Sequence, residues 1–252
     1  RTVHVRPRNE LIDEGYTETE PLCSDDCTCP NCYDNNNNNN NTGRVVVLNA
    51  GHGFHNHSAP PGWPQDRYAN QMLSLATQVQ TILSQQGFQV IMTRTAHHQL
   101  VDGSQTSNQA RRAQFATDNN ADIFVSFHRD ASGDPSVRGL WSFLQGNPSF
   151  NTPSPGSLAT PRGQATSTVH NSIWQRSWGT VSGTNNRGLR YHSGYGPLNT
   201  LAGTNVPAVL LELGFTTNAA DNAAFDQLVG LPLTDSRSLA NSIAHGIRTF
   251  LS

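Results

Sequence analysis

Three short apolar runs, each with a reactive side chain at or near its carboxyl end, constrain this chain more than any other feature. Val45-Val46-Val47-Leu48 leads into Asn49-Ala50-Gly51-His52-Gly53. Ala121-Asp122-Ile123-Phe124-Val125-Ser126-Phe127 ends on His128, and Val206-Pro207-Ala208-Val209-Leu210-Leu211 carries Glu212 ahead of Leu213-Gly214-Phe215. Apolar runs of this length read as buried strands. The carboxyl ends of such strands are where α/β enzymes build active sites, so two histidines and a glutamate at three strand ends point to one site.

Between the runs the helical period appears. Met72, Leu75, Ala76, Val79, Ile82 and Leu83 recur at intervals of one, three and four, and Gly87 is a suitable residue to end that helix. Phe88 to Thr93 then alternates like a strand before Arg94. Strand, helix and strand predict a crossover unit, right-handed by default. Ser107 is the expected N-cap of a helix through Ala110, Ala113 and Ala116. From Ser132 to Thr204 the chain is rich in Gly, Pro, Ser, Thr and Asn; it offers one strand around Leu140 to Leu144 and one helix around Gln164 to Trp178. The remainder of that insert reads as long loop, of the kind that shapes a substrate cleft. Leu239, Ile243, Ile247, Phe250 and Leu251 mark a closing amphipathic helix. The expected fold is α/β: a mostly parallel twisted sheet with helices on both faces, in a single catalytic domain over residues 43–252.

Ahead of it, residues 1–34 are polar and have too few apolar groups for a core of their own, so they read as an irregular arm. Residues 35–42 form an Asn-rich linker. All four cysteines fall in the arm, Cys23, Cys27, Cys29 and Cys32, spaced C-x3-C-x-C-x2-C. Four thiolates this close suit a structural zinc or an iron–sulfur cluster; two local disulfides or free thiols are the other readings, and the spacing leaves all of them open. The basic residues number 16, all arginine, against 18 acidic ones. That balance excludes a basic stripe for nucleic acid, and no apolar run approaches the roughly 20 residues of a membrane-spanning helix.

A metal hydrolase site needs three protein ligands and one open position for water. His52 and His128 supply two nitrogens, and Asp66, His55 or His57 would supply the third donor. Glu212 is conspicuous for another reason: a carboxylate among so many apolar neighbours is costly unless it has a partner or a task. Catalytic carboxylates occupy such surroundings, and a buried ion pair with Arg94 is the competing explanation.

These motifs as a set resemble the zinc-dependent N-acetylmuramoyl-L-alanine amidases of the Amidase_3 family. The matching stretches are Asn49 to Gly53, Val90 to Arg94, Ala121 to His128 with Asp130-Ala131, and Pro207 to Phe215 with Asn218. The resemblance implies Zn²⁺ held by His52, Asp66 and His128, with Glu212 as the catalytic residue. It covers about 200 residues as a specific set of motifs. The family's middle ligand is a glutamate four residues before an asparagine; here Asp66 stands four before Asn70. The implied reaction is hydrolysis of the bond between N-acetylmuramic acid and L-alanine in peptidoglycan, in the periplasm, cell wall or outside the cell, by a host autolysin, a phage endolysin or a virion-borne enzyme. Arg94 and Arg129, near strand ends, are expected to meet stem-peptide carboxylates, with ion-pair or surface roles as the plainer alternative. A second reading makes the fold a catalytically weak structural or targeting module, docked through the cysteine arm to a phage tail or cell-envelope assembly. A zinc peptidase is disfavoured because no His-Glu-x-x-His helix occurs.

Overall fold

Alternation along the strands decides how this molecule is layered. The computed structural model describes residues 43–52, 65–96, 105–146, 150–194, 198 and 205–252, without the side chains of 65, 66 and 105–108. The cysteine arm, the linker, the loop histidines His55, His57, His97 and His98 and the carboxylate of Asp66 lie outside what is described.

Among the described residues six strands form one sheet in the order β2-β1-β3-β6-β4-β5. They are β1 (Val45–Ala50), β2 (Gln89–Met92), β3 (Ile123–Asp130), β4 (Leu140–Gln145), β5 (Asn186–His192) and β6 (Ala208–Phe215). The helices are α1 (Gln65–Gln85), α2 (Gln105–Asp118), α3 (Pro155–Leu158), α4 (Pro161–Arg176), α5 (Ala219–Val229) and α6 (Leu239–Leu251). Strands β2, β1, β3 and β6 run parallel, as the sequence predicts, while β4 pairs with β6 antiparallel and β5 lies parallel to β4. The reversal follows from the short link between β3 and β4: a parallel return needs a crossover of about a dozen residues or more.

Successive strand residues point to opposite faces. Val46, Leu48 and Ala50 of β1, Ile123, Val125 and Phe127 of β3, and Val209, Leu211 and Leu213 of β6 meet a core built by α1, α4, α5 and α6. On the other face Val47, Phe124, Leu210, Trp141 and Phe143 pack with Ala113 and Ala116 of α2. Helices therefore cover both faces, as expected. By the same alternation Asn49, Ser126, His128 and Glu212 fall on the face of α2.

Residues 186–192 have no apolar run and read as loop, yet they form edge strand β5, partly exposed throughout. Helix α4 begins at Pro161, where proline has no N–H to lose, and Thr160 caps it by accepting from Gly163 N–H. Asn218 caps α5 through Asp221 N–H. No helix among the described residues is long and apolar enough to cross a membrane.

Candidate active site

His52 stands just past the end of β1 with φ at 60°, in the left-handed region. A non-glycine residue there costs roughly 1–2 kcal/mol, so something must hold it. The turn hooks onto the neighbouring strand through Gly51 N–H to Phe127 carbonyl, 3.0 Å. Gly51 has to be glycine: a Cβ would lie 2.4 Å from the Phe127 carbonyl oxygen and 2.6 Å from His128 Nε2. The absent side chain lets the His128 ring lie against the turn.

The two histidines meet as the sequence predicts. His128 Nδ1 and His52 Nε2 are 3.1 Å apart, with ring centroids at 4.8 Å. Two nitrogens on one tetrahedral ion, with bonds of about 2.1 Å, stand roughly 3.4 Å apart. The pair therefore fits a shared metal ion. Burial first, then the nearby charges of His52, Arg112, Arg94 and His192, holds His128 well below the usual imidazole range. It is neutral at pH 7, the form whose lone pair binds metal. Among the described residues no third His, Cys, Asp or Glu joins them in a metal-binding group. Asp66 belongs to the first turn of α1, and Tyr68 of that turn sets its ring 4.5 Å from His52. This brings the turn to the site by position. Residues two apart on a helix do not share a face, so the contact fixes no orientation for Asp66.

Glu212 is the register partner of His128 on β3 and of Trp141 on β4. Its Oε2 is sealed from solvent and has no hydrogen-bond partner among the described residues. Burial first and Asp130 second raise its pKa well above the ordinary carboxyl value, against the opposing pull of Arg129. Such a carboxyl binds a proton avidly. The ion pair with Arg94 that the sequence admits does not form. Immediately after Glu212 the register slips, His128 facing Glu212 but Asp130 facing Phe215. Gly214 carries this bulge at φ 76°, and a Cβ on it would lie 2.7 Å from the Trp178 ring. Bulges of this kind recur beside active sites, where they re-aim a side chain.

Arg94 and Arg129 are not where the expectation of substrate contact would put them. Both are buried, at 2% and 5% exposure. Arg94 donates Nε–H to the Ala50 carbonyl at 2.9 Å, and one terminal nitrogen to the carbonyls of Gly51 at 3.0 Å and Ala69 at 2.7 Å. Arg129 donates Nε–H to the Leu213 carbonyl at 3.1 Å, reaches Gln71 and Asn222, and lies over the Phe225 ring. Buried guanidinium groups spend their donors on backbone carbonyls because an unpaired buried donor is costly.

Several residues at the site carry no chemical motif in the sequence. Arg112 of α2 donates to the carbonyls of Ala50 at 2.8 Å and His52 at 2.6 Å, and to Asn49 Oδ1 at 2.8 Å. A hydrogen bond from a charged donor contributes about 1.5–3 kcal/mol, enough to offset the cost of the His52 conformation. Asn49 Oδ1 also accepts from Thr93 Oγ1–H at 2.8 Å, and Asn49 Nδ2–H donates to Ser126 Oγ at 2.7 Å. The Tyr68 hydroxyl contacts the N–H of Arg129 and donates to its carbonyl at 2.8 Å. Burial, then the Glu212 charge, raises the Tyr68 pKa. Only the amphipathic spacing of α1 and α2 could have drawn attention to Tyr68 and Arg112.

Comparison with known proteins gives the family and the fold. The family model described as N-acetylmuramoyl-L-alanine amidase, Amidase_3, matches residues 46–249. An uncharacterized cell wall amidase of Bacillus anthracis is 28% identical over 188 residues, 73% of this chain and 32% of that protein. The amidase AmiC of Neisseria meningitidis is 26% identical over 236 residues, 82% of this chain and 53% of that protein. The chain thus spans between a third and about half the length of these curated relatives. The solved structure of the amidase AmiC2 of Nostoc punctiforme superposes with a TM-score of 0.60 at 26% identity, covering 82% of this chain and 97% of that one. With its three motif-bearing strands inside the matched span and its fold shared with a solved member, the chain belongs to the Amidase_3 family of N-acetylmuramoyl-L-alanine amidases.

Proposed function

We propose that the protein is a zinc-dependent peptidoglycan amidase that hydrolyses the bond between N-acetylmuramic acid and L-alanine. The observation that carries this is the convergence of His52 Nε2 and His128 Nδ1 at 3.1 Å beside a carboxylate with a sealed, unpartnered oxygen. His52, His128 and Asp66 would hold the zinc. When bound, zinc supplies Lewis acidity toward the amide carbonyl and the attacking water. Glu212 takes the proton from that water and delivers it to the leaving nitrogen of L-alanine, the two halves of general base and general acid catalysis. Its raised pKa suits it to hold the proton between the two events. Tyr68, against His52 and electrostatically coupled to Glu212, helps keep water from the back of the site.

The substrate places the activity in the periplasm, cell wall or outside the cell. No observation among the described residues favours a structural or docking module. Purified peptidoglycan incubated with the zinc-loaded protein should lose its stem peptides. Chelation should stop the release, and added zinc should restore it. Muropeptides left intact by the zinc-loaded protein would overturn the reading.

A further inference from the structure

We propose that Arg94 and Arg112 are positioning residues for the metal-binding turn, jointly holding three consecutive carbonyls so that His52 faces His128. The inference rests on the metal-site reading above. Arg94, just after β2, holds the carbonyls of Ala50 and Gly51; Arg112, on α2, holds those of Ala50 and His52. The turn is thus gripped from two elements, the chain just past β2 and helix α2. The same Arg94 nitrogen that meets Gly51 also meets the Ala69 carbonyl of α1, the helix that opens with Asp66. Arg112 is itself aligned by Asn49, which Thr93 and Ser126 hold in turn.

Electrostatics alone would not place these groups here. Two guanidinium charges beside a cation site repel the ion they surround. What they supply is geometry: a planar fork of several donors that serves two or three carbonyls at once, which the single ammonium of lysine cannot reproduce. Among the described residues of the turn His52 alone lies in the left-handed region, and the carbonyls on both of its flanking peptides have arginine donors. Release of either grip lets those peptides rotate and swings Nε2 away from His128.

The test uses the full chain with Cys23→Ser, Cys27→Ser, Cys29→Ser and Cys32→Ser, so that no thiolate competes for metal. Zinc affinity is measured against a chromophoric chelator, and the visible spectrum of the Co²⁺-loaded protein is recorded. Arg112→Lys and Arg112→Met should weaken zinc roughly 10–100-fold, the loss typical of groups that orient metal ligands, and should shift the Co²⁺ bands while the metal-free chain still melts cooperatively. Arg94→Lys reports on the same turn from the other side and decides the matter if the Arg112 variants do not fold. Unchanged affinity and spectrum, with only a lower melting temperature, would overturn the proposal. A parent chain that binds no zinc would overturn the zinc reading itself, a separate result.

Discussion

The two faces of the sheet come from the same strands, alternate residue by alternate residue, and only one of them carries the candidate site's His128 and Glu212. Under α1, α4 and α6 the strands present Val, Leu, Ile, Ala and Phe. Toward α2 the same strands begin apolar, with Val47, Phe124 and Leu210, and become polar near their carboxyl ends, with Asn49, Ser126, His128 and Glu212. Leu211 and Glu212 are adjacent in sequence and opposite in task. The difference teaches that a one-residue step, rather than a separate region, divides what holds the fold from what the fold presents.

Substitution on either side of that step should break the comparison in opposite directions. Glu212→Gln should lower amidase turnover roughly 10²–10⁴-fold, the usual worth of a general acid–base group. Its melting temperature should hold or rise, because a carboxyl whose folded pKa is raised disfavours folding at neutral pH. Leu211→Ala, one residue away and fully buried on the other face, should cost about 2–5 kcal/mol in denaturant unfolding and leave turnover per folded molecule near the parent value. A loss of turnover in Leu211→Ala beyond its unfolded fraction would show that the faces are not separable.

A histidine on the face under α1, α4 and α6 sharpens the contrast. His170 of α4 is 2% exposed. Its Nε2–H donates to Asn186 Oδ1 at 3.0 Å, an oxygen that also accepts Gly188 N–H, so Nδ1 is the nitrogen that accepts from Ser142 Oγ–H at 3.0 Å. Burial brings its pKa down to about 4. The folded chain therefore leaves it neutral where the unfolded chain, with a pKa of about 6.5, binds a proton. The stability is whole above pH 6.5 and lost as pH falls toward 4, by about 3 kcal/mol in total. Unfolding with chelator present should show this slope in the parent and a shallower one in His170→Gln. Equal slopes would remove His170 from the account.

What was legible in the sequence follows from the same physics. Strands β1, β3 and β6 were visible as apolar runs because both of their faces are covered, and His52, His128 and Glu212 stood out because polar groups are rare at such positions. Strand β5 was hidden because an edge strand with Asn186, Arg187 and Arg190 has no apolar signature. Helix α5 carries its signal in the Asn218 cap and in Phe225 and Leu228, a spacing too short to stand out beside the longer α1 and α6. The inward turn of Arg94 and Arg129 is not legible, because an arginine near a strand end looks the same in sequence whether it meets solvent or backbone carbonyls. Arg112 and Tyr68 escaped notice for a related reason: their partners are carbonyl and amide groups that every residue has.

Zinc content of the parent, His52→Ala, His128→Ala and Glu212→Gln chains, all carrying serine in place of the four cysteines, tests the central assignment most directly. The account predicts one zinc per chain in the parent and in Glu212→Gln, and its loss from both histidine variants. Zinc retained by His52→Ala and His128→Ala, or lost from Glu212→Gln alone, would contradict it.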